Sequence, residues 1–160
     1  MSRKIVLTAL IAGIAGFIAG NAFWYLASPL WIDRIVDEAL APELQIKTLG
    51  SGAFQDADAA HQGSGTATIY ESATGTRVLR FTEFNVTNGP DLNVWLVNVD
   101  KVTTSDDVTR NEWRELGPLK GNIGDQTYPI PADVDLGQYR SVIIWCKQFS
   151  VLFASATLSP

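Results

Sequence analysis

From Ile5 to Ala27 the chain runs 23 residues without a formal charge, and no other feature limits its fold as strongly. An α-helix rises about 1.5 Å per residue and a bilayer core is about 30 Å thick, so about 20 apolar residues suffice to cross. Arg3 and Lys4 precede the run, so the basic flank stays in the cytoplasm and everything after Ala27 is sent outside. Phe23, Trp24, Tyr25 and Trp31 cluster where such a helix leaves the bilayer, as an interfacial aromatic belt does. A cleavable signal peptide, with Gly20, Asn21 and Ala22 as its small-residue site, is the alternative. Its apolar core would be only about 7 to 15 residues. The expected arrangement is a single-pass protein of the cell membrane, with a tail over 1–4 and an uncleaved anchor over 5–27. Gly16 and Gly20 make a GxxxG spacing that lets two membrane helices approach, a candidate homodimer contact, although glycine is common in such helices.

Ser28 and Pro29 resemble an N-cap and a first-turn proline, and Leu30, Trp31, Ile35, Val36, Ala39 and Leu40 have partial helical periodicity. They predict a short juxtamembrane helix ending near Ala41 and Pro42, within a stalk over 28–45. The stalk charges Asp33, Arg34, Asp37 and Glu38 are mostly acidic and unsuited to anionic lipid. Setting aside Arg3 and Lys4 leaves ten basic against 17 acidic residues, a formal charge of minus seven outside. With no Lys/Arg cluster anywhere, nucleic acid is excluded as a partner. Residues 46–160 suffice for one domain with a real core.

That domain reads as β. Gly65 to Tyr70, Arg77 to Phe84, Leu92 to Val99, Ser141 to Cys146 and Ser150 to Leu158 are apolar or alternating at strand length, and helical periodicity is nearly absent after Leu40. Leu79 and Phe81 fall on one face and Arg80 and Thr82 on the other; Leu92, Val94 and Leu96 alternate with Asn93 and Trp95. Turn formers such as Asn88-Gly89-Pro90 separate the strands, and Pro118, Pro129 and Pro131 mark edges or loops. This pattern suits an antiparallel β-sandwich or barrel, with a Greek-key sandwich as the expected fold.

Catalytic signatures are missing: there is no GxSxG, P-loop, CxxC or CxxCH. His61 is the only histidine, in the polar stretch Gly52 to Gly65 with Asp56 and Asp58, where neither a calcium-loop nor a zinc spacing occurs. No metal site is predicted, and loop carboxylates bonding local backbone are the default. Cys146 is the only cysteine, so it cannot form a disulfide within its chain. Buried free cysteine behaves as a small hydrophobe, but exported proteins usually avoid or pair thiols, which makes a leftover one a candidate redox group or ligand. Trp95, Trp113, Trp145, Tyr128 and Tyr139 are core aromatics by default and candidates to line a flat cofactor. Asn85-Val86-Thr87 matches a glycosylation sequon.

Gly52-Ala53-Phe54, His61, Val78-Leu79-Arg80-Phe81, Asn88-Gly89-Pro90-Asp91-Leu92, Leu116-Gly117-Pro118, Gly124-Asp125-Gln126-Thr127-Tyr128 and Val142-Ile143-Ile144-Trp145-Cys146 arrive in an order that resembles the DM-thirteen domain over roughly Ile46 to Leu158. The anchor with Ser28-Pro29-Leu30 resembles its membrane-tethered bacterial members. The resemblance implies a β-sandwich, often accompanying DOMON-type domains, that acts in electron transfer at cell surfaces. Its family cysteine maps onto Cys146, as a naked thiol or a ligand to a group such as haem. In the haem version Cys146 is a thiolate ligand with His61 or an open site opposite, and Trp145 and Tyr128 line the pocket. In the thiol version Cys146 cycles through a sulfenic acid or a mixed disulfide with a redox partner. The competing class is a non-catalytic surface-protein binding module with Cys146 as filler. Both fit a module better than a conventional enzyme.

Overall fold

The structure, a computed structural model, describes residues 2–28, 31–41 and 47–160, which form two compact units divided between Ile32 and Asp33. The first unit is α1 (Arg3–Ala27), a helix of 25 residues or about 37 Å at 1.5 Å per residue. It is long and apolar enough to span a membrane. Ile5, Leu7, Ile11, Ile14, Phe17 and Ile18 are all exposed along it, and a Cβ on Gly16 or Gly20 would meet nothing. Trp24 and Trp31 pack edge to face at 6.2 Å.

The second unit contains eight strands, β1 (Lys47–Asp56), β2 (Gly63–Glu71), β3 (Arg77–Val86), β4 (Leu92–Val97), β5 (Trp113–Pro118), β6 (Gln126–Ile130), β7 (Ser141–Cys146) and β8 (Val151–Thr157), and one short helix, α2 (Ser105–Thr109). Their order is β5-β4-β7-β8-β1-β2-β3-β6, with every neighbouring pair antiparallel. β1 joins the two layers, because Lys47 to Ala53 pair with β2 while Phe54 to Asp56 pair with β8. Gly52 permits the crossing: a Cβ there would run into the Thr157 carbonyl.

The alternation read from the sequence selects the two faces. Ile69, Leu79 and Phe81 from one layer meet Val94, Leu96, Val142, Ile144 and Phe153 from the other in the main core, together with Phe54 where β1 crosses between them. Phe81, fully buried, lies within 5.4 Å of the rings of Phe54, Phe84 and Tyr128. The opposite face of β4, β7 and β8 is also covered, because Trp95, Ile143, Trp145 and Leu152 pack with Val102 and with Val108 of α2. Thr104 and Asp107 close a capping box that fixes α2.

Two expectations are corrected. Gly52 to Asp56 belong to β1 and not to a polar loop; close backbone approach, which glycine allows, outweighs their weak strand propensity. The prolines do mark edges: Pro118 and Pro129 lie in β5 and β6, the two edge strands, where a missing N–H costs no ladder bond, and Pro131 follows β6. The juxtamembrane helix is absent from residues 31–41, which carry a turn at Trp31 and a single β-bridge at Ile35. Ser28 is the C-cap of α1, while Pro29, Leu30 and Pro42 lie outside the described residues.

Tertiary hydrogen bonds displace that helix, since partial periodicity is a weak prior. Ile35 bridges Ile123 in parallel. The Val36 and Glu38 N–H groups donate to the Ile123 and Asp125 carbonyls at 2.9 Å each, and Arg34 N–H donates to Asn122 Oδ1 at 2.6 Å. Glu38 accepts from Lys120 Nζ at 2.7 Å and from Thr127 N–H at 2.8 Å. Gly121 and Gly124 make room for this strap: a Cβ on either would strike the Arg34 or Val36 carbonyl.

Candidate functional site

The register brings four connections to one end of the sandwich: the β1–β2 loop with His61, the β3–β4 segment Thr87 to Asp91, the β5–β6 loop with Asn122, and the β7–β8 turn Lys147 to Ser150. Cys146 closes β7 at this end, opposite Leu92 on β4 and Val151 on β8. Strand alternation points it inward with Val142 and Ile144, so it joins the main core and is fully buried. Its Sγ donates to the Pro90 carbonyl at 3.0 Å. Burial pushes the thiol pKa up, partly opposed by the Phe149 and Gln148 N–H groups and reinforced by the negative charge of Asp91. The next four residues, Lys147 to Ser150, are exposed, so the thiol sits one residue from solvent-facing turn. Lys147 pairs with Glu115 at 3.2 Å.

His61 stands at the same end. Its Nδ1 donates to Asp58 Oδ2 at 2.8 Å, because an ionised carboxylate only accepts, and this leaves Nε2 as the ring's second polar atom. Asp58 Oδ1 also accepts the Ala60 and His61 N–H groups at 2.8 Å. The His61 side-chain bond first, and then these N–H groups, hold the Asp58 carboxyl below its ordinary range. The ring packs at 4.3 Å on Phe153, which shares the main core with Cys146. Asp56 accepts from Gly63 N–H, and among the described residues no three His, Cys, Asp or Glu side chains gather as a metal site. A polar cleft of about 300 Å³ beside this loop is lined by Asp56, Gln62, Ser64, Asn85 and Thr87.

The other two candidate ligand-lining residues lie apart from this pair and from each other. Trp145 projects to the outer cluster, 5.4 Å from Trp95. Tyr128 enters the main core, where its hydroxyl donates to Gln126 Oε1 at 2.7 Å and accepts from Lys120 N–H at 3.0 Å. Burial pushes its pKa upward. A pocket lined jointly by Trp145 and Tyr128 is therefore not formed. Haem does not fit at Cys146 in this arrangement: a metal axial atom must face a slot of porphyrin size, and this Sγ faces the Pro90 carbonyl inside a filled core.

Sequence reasoning missed the partners that hold this end together. Asp33 Oδ1 accepts from both Asn88 Nδ2 and Asn122 Nδ2 at 2.8 Å, and Pro90 offers the acceptor for the thiol. The Asp58-x-x-His61 spacing was a usable local signal for an oriented imidazole; the pairing of Asp33 with Asn88, 55 residues away, had none. Neither the curated proteins nor the solved structures hold a match to this chain. The family model described as "Electron transfer DM13" matches residues 54–158, a span that includes seven of the eight strands entire, most of the loops at this end, His61 and Cys146. The chain belongs to the DM13 family of electron-transfer domains.

Proposed function

We propose that this chain is a membrane-anchored, extracytoplasmic redox module in which the Cys146 thiol exchanges electrons with a partner protein. The observation that carries the reading is the place of Cys146: the chain's only thiol, within an electron-transfer family, ends a core strand at the loop-rich end that also holds His61. With one cysteine the chain supplies one sulfur, so the partner is an envelope or surface protein bearing a disulfide. Cys146 loses its proton and attacks that disulfide. One S–S bond breaks, one forms between Cys146 and the partner, and the partner's other sulfur leaves as thiolate. A thiol of a second, dithiol-bearing protein then attacks the partner's sulfur in this mixed disulfide and releases Cys146 as thiolate, and its other thiol displaces the partner as a dithiol, so two electrons pass from that dithiol to the partner's disulfide. α1 serves as the single-pass anchor, its basic flank inside, and Gly16 with Gly20 supplies the strip through which two anchors pair.

The burial of Cys146 favours a second reading, a non-catalytic surface-binding module with the thiol as core filler. Reaction of the native chain with an aromatic disulfide, followed by the coloured thiolate it releases, separates the two. The redox reading expects one equivalent released faster than the domain unfolds, and none from Cys146→Ser. Release only in denaturant refutes it.

A further inference from the structure

A fully buried thiol can meet a partner only if something over it moves, and the β3–β4 segment is what the thiol touches. Its first residue, Thr87, exchanges bonds with Gln62 of the β1–β2 loop at 2.9 Å, and from Asn88 onward the segment is held on two sides. Toward the core, Cys146 Sγ donates to the Pro90 carbonyl at 3.0 Å and Lys147 N–H donates to the Asp91 carbonyl at 3.1 Å. Toward the strap, Asn88 Nδ2 donates to Asp33 Oδ1 at 2.8 Å, and the same oxygen accepts from Asn122. Asp91 is held at φ 53°, in the left-handed region that a non-glycine residue resists, so the segment stays in place through these ties.

The strap itself is built to come off. Its apolar side chains bury little, with Ile35 72 % exposed and only Val36, Glu38, Leu40 and Ala41 part-buried. Its hold is polar throughout: backbone bonds to Ile123 and Asp125, the Arg34 N–H bond to Asn122, the Asp33 bonds, and Glu38 bonded to Thr127 N–H and to half-exposed Lys120. An element held by polar bonds at the surface opens at far lower cost than the core strands.

We propose that Asp33 to Ala41 is a releasable latch: docked, it pins Asn88 and keeps the Pro90 segment over Cys146; undocked, it frees that segment and opens the thiol. This rests on the redox reading of Cys146 and adds its regulation. Because the latch follows α1 directly in sequence, whatever engages the chain just outside its anchor acts on the thiol through Asp33.

The test uses the full chain in detergent micelles. Amide exchange in the unaltered protein should show the Val36 and Glu38 N–H groups opening well before Val94 in β4. Equal protection would mean that the strap opens only with the whole domain, and overturns the proposal. Asp33→Ala removes the acceptor for Asn88, while Gly121→Ala drives a methyl group into the Arg34 carbonyl without touching the β3–β4 segment. Each should raise the iodoacetamide labelling rate of Cys146 roughly tenfold, because labelling follows the population of the open form, with the urea midpoint little changed. Freely exchanging Val36 and Glu38 amides with a wild-type labelling rate would refute the latch. Faster labelling without any disulfide exchange at Cys146 would leave the latch standing and remove the redox reading.

Discussion

Gly89→Ala adds one methyl group to the residue before Pro90, whose carbonyl accepts from the thiol. Built on this backbone, its Cβ lies 2.6 Å from both Cε1 and Cζ of Phe153 and 3.1 Å from Cδ2 of Leu92. Carbon atoms prefer about 3.5 to 4.0 Å, so the ring edge must retreat by about 1 Å. Phe153 is 5 % exposed in the main core, and Leu92 stands opposite Cys146, so the ring has no free space to enter. Overpacking of this kind costs about 1 to 3 kcal/mol, a large share of the roughly 5 to 15 kcal/mol that stabilises a domain. In urea, with a slope of about 1 to 3 kcal/mol per molar, the midpoint should fall by about 1 M. Cys146 labelling should rise and the His61–Phe153 contact should shift, visible in the imidazole proton resonances. Gly75→Ala is the control: its Cβ meets nothing, although φ is +80° there, so it should bring backbone strain without any change in labelling. Loss below about 0.5 kcal/mol with unaltered labelling for Gly89→Ala would refute the packing described around the thiol, since surface substitutions also fall in that range.

Further outcomes follow from the same geometry. Burial tends to raise the Glu38 pKa, but Lys120, the Thr127 N–H and the more distant Arg80 outweigh it and hold it below 4.5. A lowered folded value means that the stability it lends is present above the unfolded pKa and is lost as pH falls through the folded one; the Val36 and Glu38 amides should therefore lose protection on acidification before the core does, and Glu38→Gln should abolish that pH dependence. Thr104→Ala removes half of the capping box on α2 and should cost about 1 kcal/mol, with a change in tryptophan emission because Val108 covers Trp95 and Trp145. Trp113→Ala should expose Trp95, stacked on it at 4.0 Å, and red-shift the emission without altering Cys146 labelling.

The β character and the two faces of the central strands were legible because Leu79, Phe81, Leu92, Val94 and Leu96 alternate cleanly and both β7 and β8 are rich in β-formers. β1 was hidden, since a strand carrying Gly50, Gly52 and Ser51 has no clean hydrophobic pattern; its place depends on backbone contact with β8 and on Phe54, with Leu49 at the margin, reaching the core. The strap was hidden for a different reason: its local pattern favours a helix, while the hydrogen bonds that decide its conformation come from Asn122, Ile123, Asp125 and Thr127. For the site, Cys146 and His61 were found as isolated chemistry, and strand alternation in β7 puts the thiol on the inward face with Val142 and Ile144. Covering of both faces of β7 could not be read, because α2 and Val102 reach it across non-local loops.

The central claim is that Cys146 exchanges electrons in the folded protein. Poising the full chain in micelles against a series of reduced-to-oxidised glutathione ratios, and reading the mass of the intact chain, tests it most directly. The account predicts a mixed disulfide at Cys146 that forms and reverses with the ratio, at a rate that exceeds global unfolding and rises when Asp33 is replaced. Modification that occurs only at the unfolding rate, or only in denaturant, would contradict it and leave Cys146 as part of the core.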